Sequence, residues 1–96
     1  MELSLKGKKI LITGAGAGIG LACAEAFVTA GADVAICDVE QARLDEALAS
    51  LTAIGGNHYG QLCDVASADA VADFFANSVK ALGSLDIVLN LSLIHI

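Results

Sequence analysis

Residues 8–20 read Lys-Lys-Ile-Leu-Ile-Thr-Gly-Ala-Gly-Ala-Gly-Ile-Gly, and Leu21 opens an apolar, alanine-rich stretch. The order is strand, glycine turn, helix. A strand that ends in glycines and feeds a helix presents bare backbone N–H groups and a helix N-terminus with no side chain in the way, an arrangement suited to a diphosphate. The expectation is an α/β fold that holds a nucleotide.

The spacing of the glycines separates the nucleotide folds. GxGxxG is absent: counted from Gly14 its last position is Ile19, and counted from Gly16 it is Leu21. A P-loop is absent too, because no Lys-Ser or Lys-Thr follows Gly20. Residues 13–20 spell Thr-Gly-x-x-x-Gly-Ile-Gly, which resembles the cofactor motif of the short-chain dehydrogenase/reductase family. The resemblance extends over residues 5–90. It implies that Gly14, Gly16, Ala17, Gly18, Ile19 and Gly20 line a dinucleotide cofactor.

Composition narrows the partners. The chain has 96 residues, room for about one small domain. It is 56% hydrophobic with mean hydropathy +0.73, yet no stretch approaches the roughly 18 uncharged apolar residues of a membrane span. That surplus is expected in buried parallel strands and alanine-rich helices. The start, MELSLKGKK, lacks an apolar signal core, so a cytoplasmic protein is expected. Net charge is −6 with five basic residues, three of them Lys6, Lys8 and Lys9, which leaves no basic face for nucleic acid. Cys23, Cys37 and Cys63 are widely spaced without a CxxC pair, so they read as small buried hydrophobes rather than disulfide or zinc partners.

Four aliphatic segments, Lys8–Thr13, Asp33–Asp38, His58–Cys63 and Asp86–Asn90, alternate with helical patterns. This predicts βαβ units and a Rossmann-like, doubly wound parallel sheet. The first helix is expected from about Ile19 to Ala30, with Ile19, Cys23 and Phe27 along one face and Gly31 as C-cap. A second runs from about Glu40 with Leu44, Leu48 and Leu51 in register. A third follows Ser67 as N-cap, carries Val71, Phe74, Phe75, Ser78 and Leu82 on one side, and stops at Gly83. Right-handed crossovers give the strand order 3-2-1-4, with the first two helices on one face and the third on the other. The sheet is expected to be truncated after its fourth strand, and a complete single domain of this kind would run to roughly 200–250 residues.

Asp38 ends the second strand about two dozen residues after Gly14, where a dinucleotide fold uses a carboxylate to accept from the adenosine ribose hydroxyls. The other reading is a cap for the next helix. A carboxylate there repels a 2′-phosphate, and Ala17 is neutral where phosphate-binding relatives often carry Arg or Lys, so NAD is expected over NADP. The resemblance further implies that Asp64 and Val65 meet the adenine edge, although Asp64 could simply favour the helix start at Ser67. Asn90 is expected to hold the sheet or flank the ribose.

The family's catalytic serine and Tyr-x-x-x-Lys pair have no counterpart. Tyr59 is the only tyrosine, with Cys63 four places on, and Lys80 has Ala76 four places before it. His58 begins a strand and has no His, Cys or Asp at metal-ligand spacing, and His95 sits in the final segment that departs from the family pattern, so neither is a site candidate. The resemblance thus implies the N-terminal, cofactor-binding portion of an NAD-dependent oxidoreductase acting on a small carbonyl or alcohol substrate, homo-oligomeric in its full-length form. A non-catalytic NAD-binding module and an inactive truncated product remain open beside it. The final Leu91-Ser92-Leu93-Ile94-His95-Ile96 departs from the family's Asn-Ala-Gly continuation. One frame of CTG TCT CTT ATA CAC ATC encodes it, a string that resembles a transposon end used as a sequencing adapter, so read-through of a reagent is expected there.

Overall fold

A computed structural model describes residues 4–13 and 18–90. Along the chain it forms β1 (Lys9–Thr13), α1 (Gly18–Thr29), β2 (Asp33–Asp38), α2 (Gln41–Ile54), β3 (His58–Leu62), α3 (Ala68–Leu82) and β4 (Ile87–Asn90). The strands make one parallel sheet in the order β3-β2-β1-β4. Gly14, Gly16 and Ala17, and the tail 91–96, lie outside the described residues.

The inner strands explain the chain's apolar surplus. Ile10, Leu11 and Ile12 of β1 and Val34, Ala35 and Ile36 of β2 are all fully buried. Successive side chains point to opposite faces, so a continuous apolar run needs cover on both. Ile10, Ile12, Val34 and Ile36 pack with Ala24, Val28, Leu44, Ala47 and Leu51, which places α1 and α2 on one face. Leu11, Ala35 and Cys37 pack with Cys63, Phe74 and Leu82, which places α3 on the other. Both the strand order and the distribution of helices agree with the expectation.

The buried face of α1 does not. Gly20, Ala24 and Val28 face the core, while Ile19 is 76% exposed. Cys23 is only half-buried, unlike Cys37 and Cys63, and Phe27 packs at the edge of the core. A helix apolar on most sides offers several stripes, and the one with the smallest residues lets its backbone lie closest to the sheet. The pattern at Ile19, Cys23 and Phe27 was one stripe among several.

Local signals set the other helices. The Ser67 hydroxyl accepts from the Ala70 amide at 3.2 Å, Asp69 and Lys80 sit in the first and last turns of α3, and Gly83 closes the helix at φ 91°, all favourable to the helix dipole and its unpaired ends. In α2 the buried residues are Leu44, Ala47 and Leu51, with Leu48 packed beside them. Leu48 reaches down onto β3: a Cβ at Gly60 would lie 2.6 Å from Leu48 Cδ1 and 3.0 Å from its Cγ.

The strand starts are tied by polar groups. Lys9 forms an ion pair with Asp33, the Lys9 amide donates to Asp86 Oδ2 at 2.8 Å, and the Asn57 amide donates to Asp33 Oδ1 at 3.4 Å. One rim of the sheet is thereby fastened across all four strands.

Candidate functional site

In a parallel sheet all the strands end on the same rim, and ligands of open α/β folds bind outside those carboxyl ends. Thr13, Asp38 and Asn90 are the last residues of β1, β2 and β4, and Asp64 stands two residues beyond β3. Gly18 opens α1 at the same rim, at φ 62°, with open space where a Cβ would stand. That left-handed backbone is costly for any residue with a side chain. A 12-residue helix directs unpaired backbone N–H groups and the positive end of its dipole outward there. Gly20 is buried in the first turn.

Asp38 is the most constrained group on the rim. Its side chain is 9% exposed. Oδ1 accepts from the Glu40 amide at 2.8 Å and from Arg43 Nη2 at 3.1 Å, and Arg43 Nε lies 3.3 Å from both oxygens. Burial pushes the carboxyl pKa up, but the Glu40 amide, the Arg43 guanidinium and the Val39 amide outweigh it and hold the group below its ordinary value. Arg43 also pairs with Glu40 Oε2 at 2.7 Å through Nη1. Asp38 therefore ties the entry of α2 without being its N-cap, which is Glu40, and remains an ionised acceptor at the end of β2.

Asp64 is exposed. Its Oδ1 accepts from the Ala66 amide at 2.9 Å and its carbonyl accepts from Ser67 at 2.9 Å, a turn that launches α3. The Cys63 amide donates to the Asp38 carbonyl at 3.0 Å, which holds the two carboxylate-bearing ends side by side. Ile19, Val39 and Val65 are exposed apolar residues on this rim, at 76%, 58% and 39%. Across the sheet, the buried Thr13 hydroxyl donates to Asn90 Oδ1 at 2.8 Å.

Arg43, Thr13 and Val39 escaped the sequence reading. Arg43 had a signal: a cation in the first turn of a helix opposes the dipole, and acidic residues three and five positions upstream, Glu40 and Asp38, supply the compensation. Thr13 had none beyond its place in the motif, because its partner lies 77 residues away.

Two other titratable groups are shifted by their surroundings. Tyr59 donates to Gln61 Oε1 at 2.7 Å, and burial together with Asp73 raises its pKa, the opposite of what a proton-donating tyrosine at neutral pH requires. Burial likewise raises the Cys63 thiol. No group of three His, Cys, Asp or Glu among the described residues could hold a metal ion, and no described helix is long and apolar enough to cross a membrane.

The short chain dehydrogenase family model matches residues 8–92. The 7alpha-hydroxysteroid dehydrogenase of Escherichia coli K12 is 38% identical over 92 residues, covering 93% of this chain and 35% of that enzyme. The short chain dehydrogenase/reductase dpchG of Colletotrichum higginsianum is 38% identical over 86 residues, covering 90% of this chain and 32% of its own length. Among solved structures, an NAD+-bound xylitol dehydrogenase superposes with TM-score 0.83 at 35% identity, over 86% of this chain and 32% of that one. The chain thus spans about a third of the length of the curated relatives it matches. With the motif at the head of α1, the 3-2-1-4 sheet and these relatives in agreement, the chain belongs to the short-chain dehydrogenase/reductase family.

Proposed function

We propose that residues 1–90 are the NAD-binding half of an oxidoreductase that moves hydride between a nicotinamide cofactor and a carbonyl or alcohol substrate. The observation that carries this reading is the joining of the ends of β2 and β3, which sets Asp38 and Asp64 side by side on the rim where the α1 N-terminus emerges. The donor and acceptor set fits a dinucleotide. Backbone N–H groups at the start of α1 suit the diphosphate, and the motif residues Gly14, Gly16 and Ala17 are assigned to the same cofactor. The Asp38 carboxylate suits ribose hydroxyls, and its charge disfavours a 2′-phosphate, so NAD is the cofactor proposed. Asp64 and the Val65 backbone suit the amine and ring nitrogen of adenine, Ile19 covers the diphosphate side, and Asn90 flanks the second ribose.

When bound, the nicotinamide ring supplies the hydride acceptor or donor. Residues 1–90 contribute binding and orientation only, because the Tyr-x-x-x-Lys pair is absent from the sequence. We assign residues 91–96 to adapter read-through and expect no dehydrogenase turnover from this chain alone. The test is Asp38→Ala combined with Ala17→Arg in the full-length protein carrying this segment, with both cofactors titrated. A shift of the kcat/KM ratio toward NADP supports the assignment, and an unchanged ratio refutes it.

A further inference from the structure

We infer that Arg43 is a specificity-determining positioning residue: its guanidinium fixes the Asp38 carboxylate so that Oδ2 faces the ribose hydroxyls, and it is itself withheld from a 2′-phosphate. The inference rests on the reading of Asp38 as the ribose acceptor.

The hydrogen bonds are unevenly shared between the two oxygens. Oδ1 takes the Glu40 amide at 2.8 Å, Arg43 Nη2 at 3.1 Å and Arg43 Nε at 3.3 Å. A carboxylate oxygen offers about two lone-pair directions, so Oδ1 is saturated. Oδ2 takes the longer, shared Nε contact at 3.3 Å, and even with the Val39 amide close to the carboxylate it is the less occupied oxygen, the one left to accept from hydroxyl donors. The Arg43 side chain is 43% exposed while that of Asp38 is 9% exposed, so the guanidinium joins the more buried carboxylate to the surface. A planar fork that contacts both oxygens fixes the rotation of the carboxylate as well as its charge.

An arginine beside the ribose site would ordinarily invite a 2′-phosphate. Here the same guanidinium is held on its other edge by Glu40 Oε2 at 2.7 Å. One cation between two carboxylates leaves the cluster net negative. Arg43 therefore serves the carboxylate that selects the hydroxyl, and a phosphate would have to displace both partners.

The test uses Arg43→Ala, Arg43→Lys, Asp38→Ala and the double variant Asp38→Ala/Arg43→Ala in the full-length protein, with NAD and NADP affinities measured calorimetrically without substrate. Arg43→Ala is expected to weaken NAD about fivefold or more, without improving NADP and with the protein still folded at the assay temperature. Arg43→Lys is expected to recover part of the loss. The double variant should bind NAD no more weakly than Asp38→Ala, because Arg43 acts through that carboxylate. NAD affinity within twofold of wild type in Arg43→Ala, or full additivity in the double variant, overturns the inference. If Asp38→Ala itself leaves NAD affinity unchanged, the ribose reading fails. If only Asp38→Ala weakens NAD, that reading stands and the role of Arg43 falls.

Discussion

The Thr13 hydroxyl donates to Asn90 Oδ1 at 2.8 Å across 77 residues of sequence. The two residues are register partners, so the bond closes the β1–β4 ladder at its carboxyl end with a side-chain pair. It also sets the start of the glycine motif against the last described residue of the sheet.

That bond should be measurable as a coupling. Thr13→Val keeps the shape and removes the donor, and Asn90→Ala removes the acceptor. In denaturant unfolding each should destabilise, with an interaction energy of about 1 kcal/mol in the double-mutant cycle. Strict additivity would show that the pair contributes nothing.

Acid should act on Asp38 in a defined direction. Its carboxyl lies below the ordinary value of 3.8, so the stabilisation it provides is complete above about pH 4 and is lost as pH falls through the lowered folded-state value. Arg43→Ala removes a lowering influence and leaves burial, so the Asp38 titration should move upward and the loss on acidification should begin at higher pH. Carbon-detected NMR of the Asp38 carboxyl reads this directly; a midpoint that stays put, or moves down, contradicts the assignment.

A side chain at Gly60 should displace Leu48. Gly60→Ala brings a Cβ within 2.6 Å of Leu48 Cδ1, and overpacking of this kind costs about 1–3 kcal/mol. Leu48→Ala opens the space, so the double variant should be no less stable than Leu48→Ala alone. Thermal unfolding followed by circular dichroism decides it, and a Gly60→Ala protein as stable as wild type would refute the contact.

Gly18→Val should abolish NAD binding in the full-length protein with most secondary structure retained. The backbone at φ 62° resists a β-branched residue, although the protein itself leaves room for the side chain. Normal affinity by calorimetric titration would remove Gly18 from the site.

The proposed origin of residues 91–96 is tested on DNA. Amplification of the locus from source DNA should show Asn90 followed by Asn-Ala-Gly. A genomic Leu-Ser-Leu-Ile-His-Ile followed by a stop codon would reject the assignment.

The parts of the fold legible in the sequence were those written in local chemistry. Fully apolar inner strands, the Ser67 cap and the glycine at 83 carry their structural reasons within a few residues. The strand order followed from the handedness of the crossovers. The face of α1 was not legible, because Gly20, Ala24 and Val28 win on closeness of approach rather than on hydrophobicity, and periodicity measures only the latter. At the rim, Asp38 and Asp64 stood out as carboxylates at strand ends. Arg43 did not, since its role depends on a guanidinium folding back onto the preceding strand.

The two rims of the sheet divide the labour. Lys9, Asp33, Asp86 and Asn57 fasten the strand starts, whereas the opposite rim carries Asp38, Asp64 and the uncovered apolar residues Ile19, Val39 and Val65. A replacement at the second rim therefore leaves the ties of the first in place. Residues at the carboxyl rim answer to the fold as well, because Asp38 ties the entry of α2 and Thr13 the end of β4, so drift there is confined to side chains that hold nothing in place.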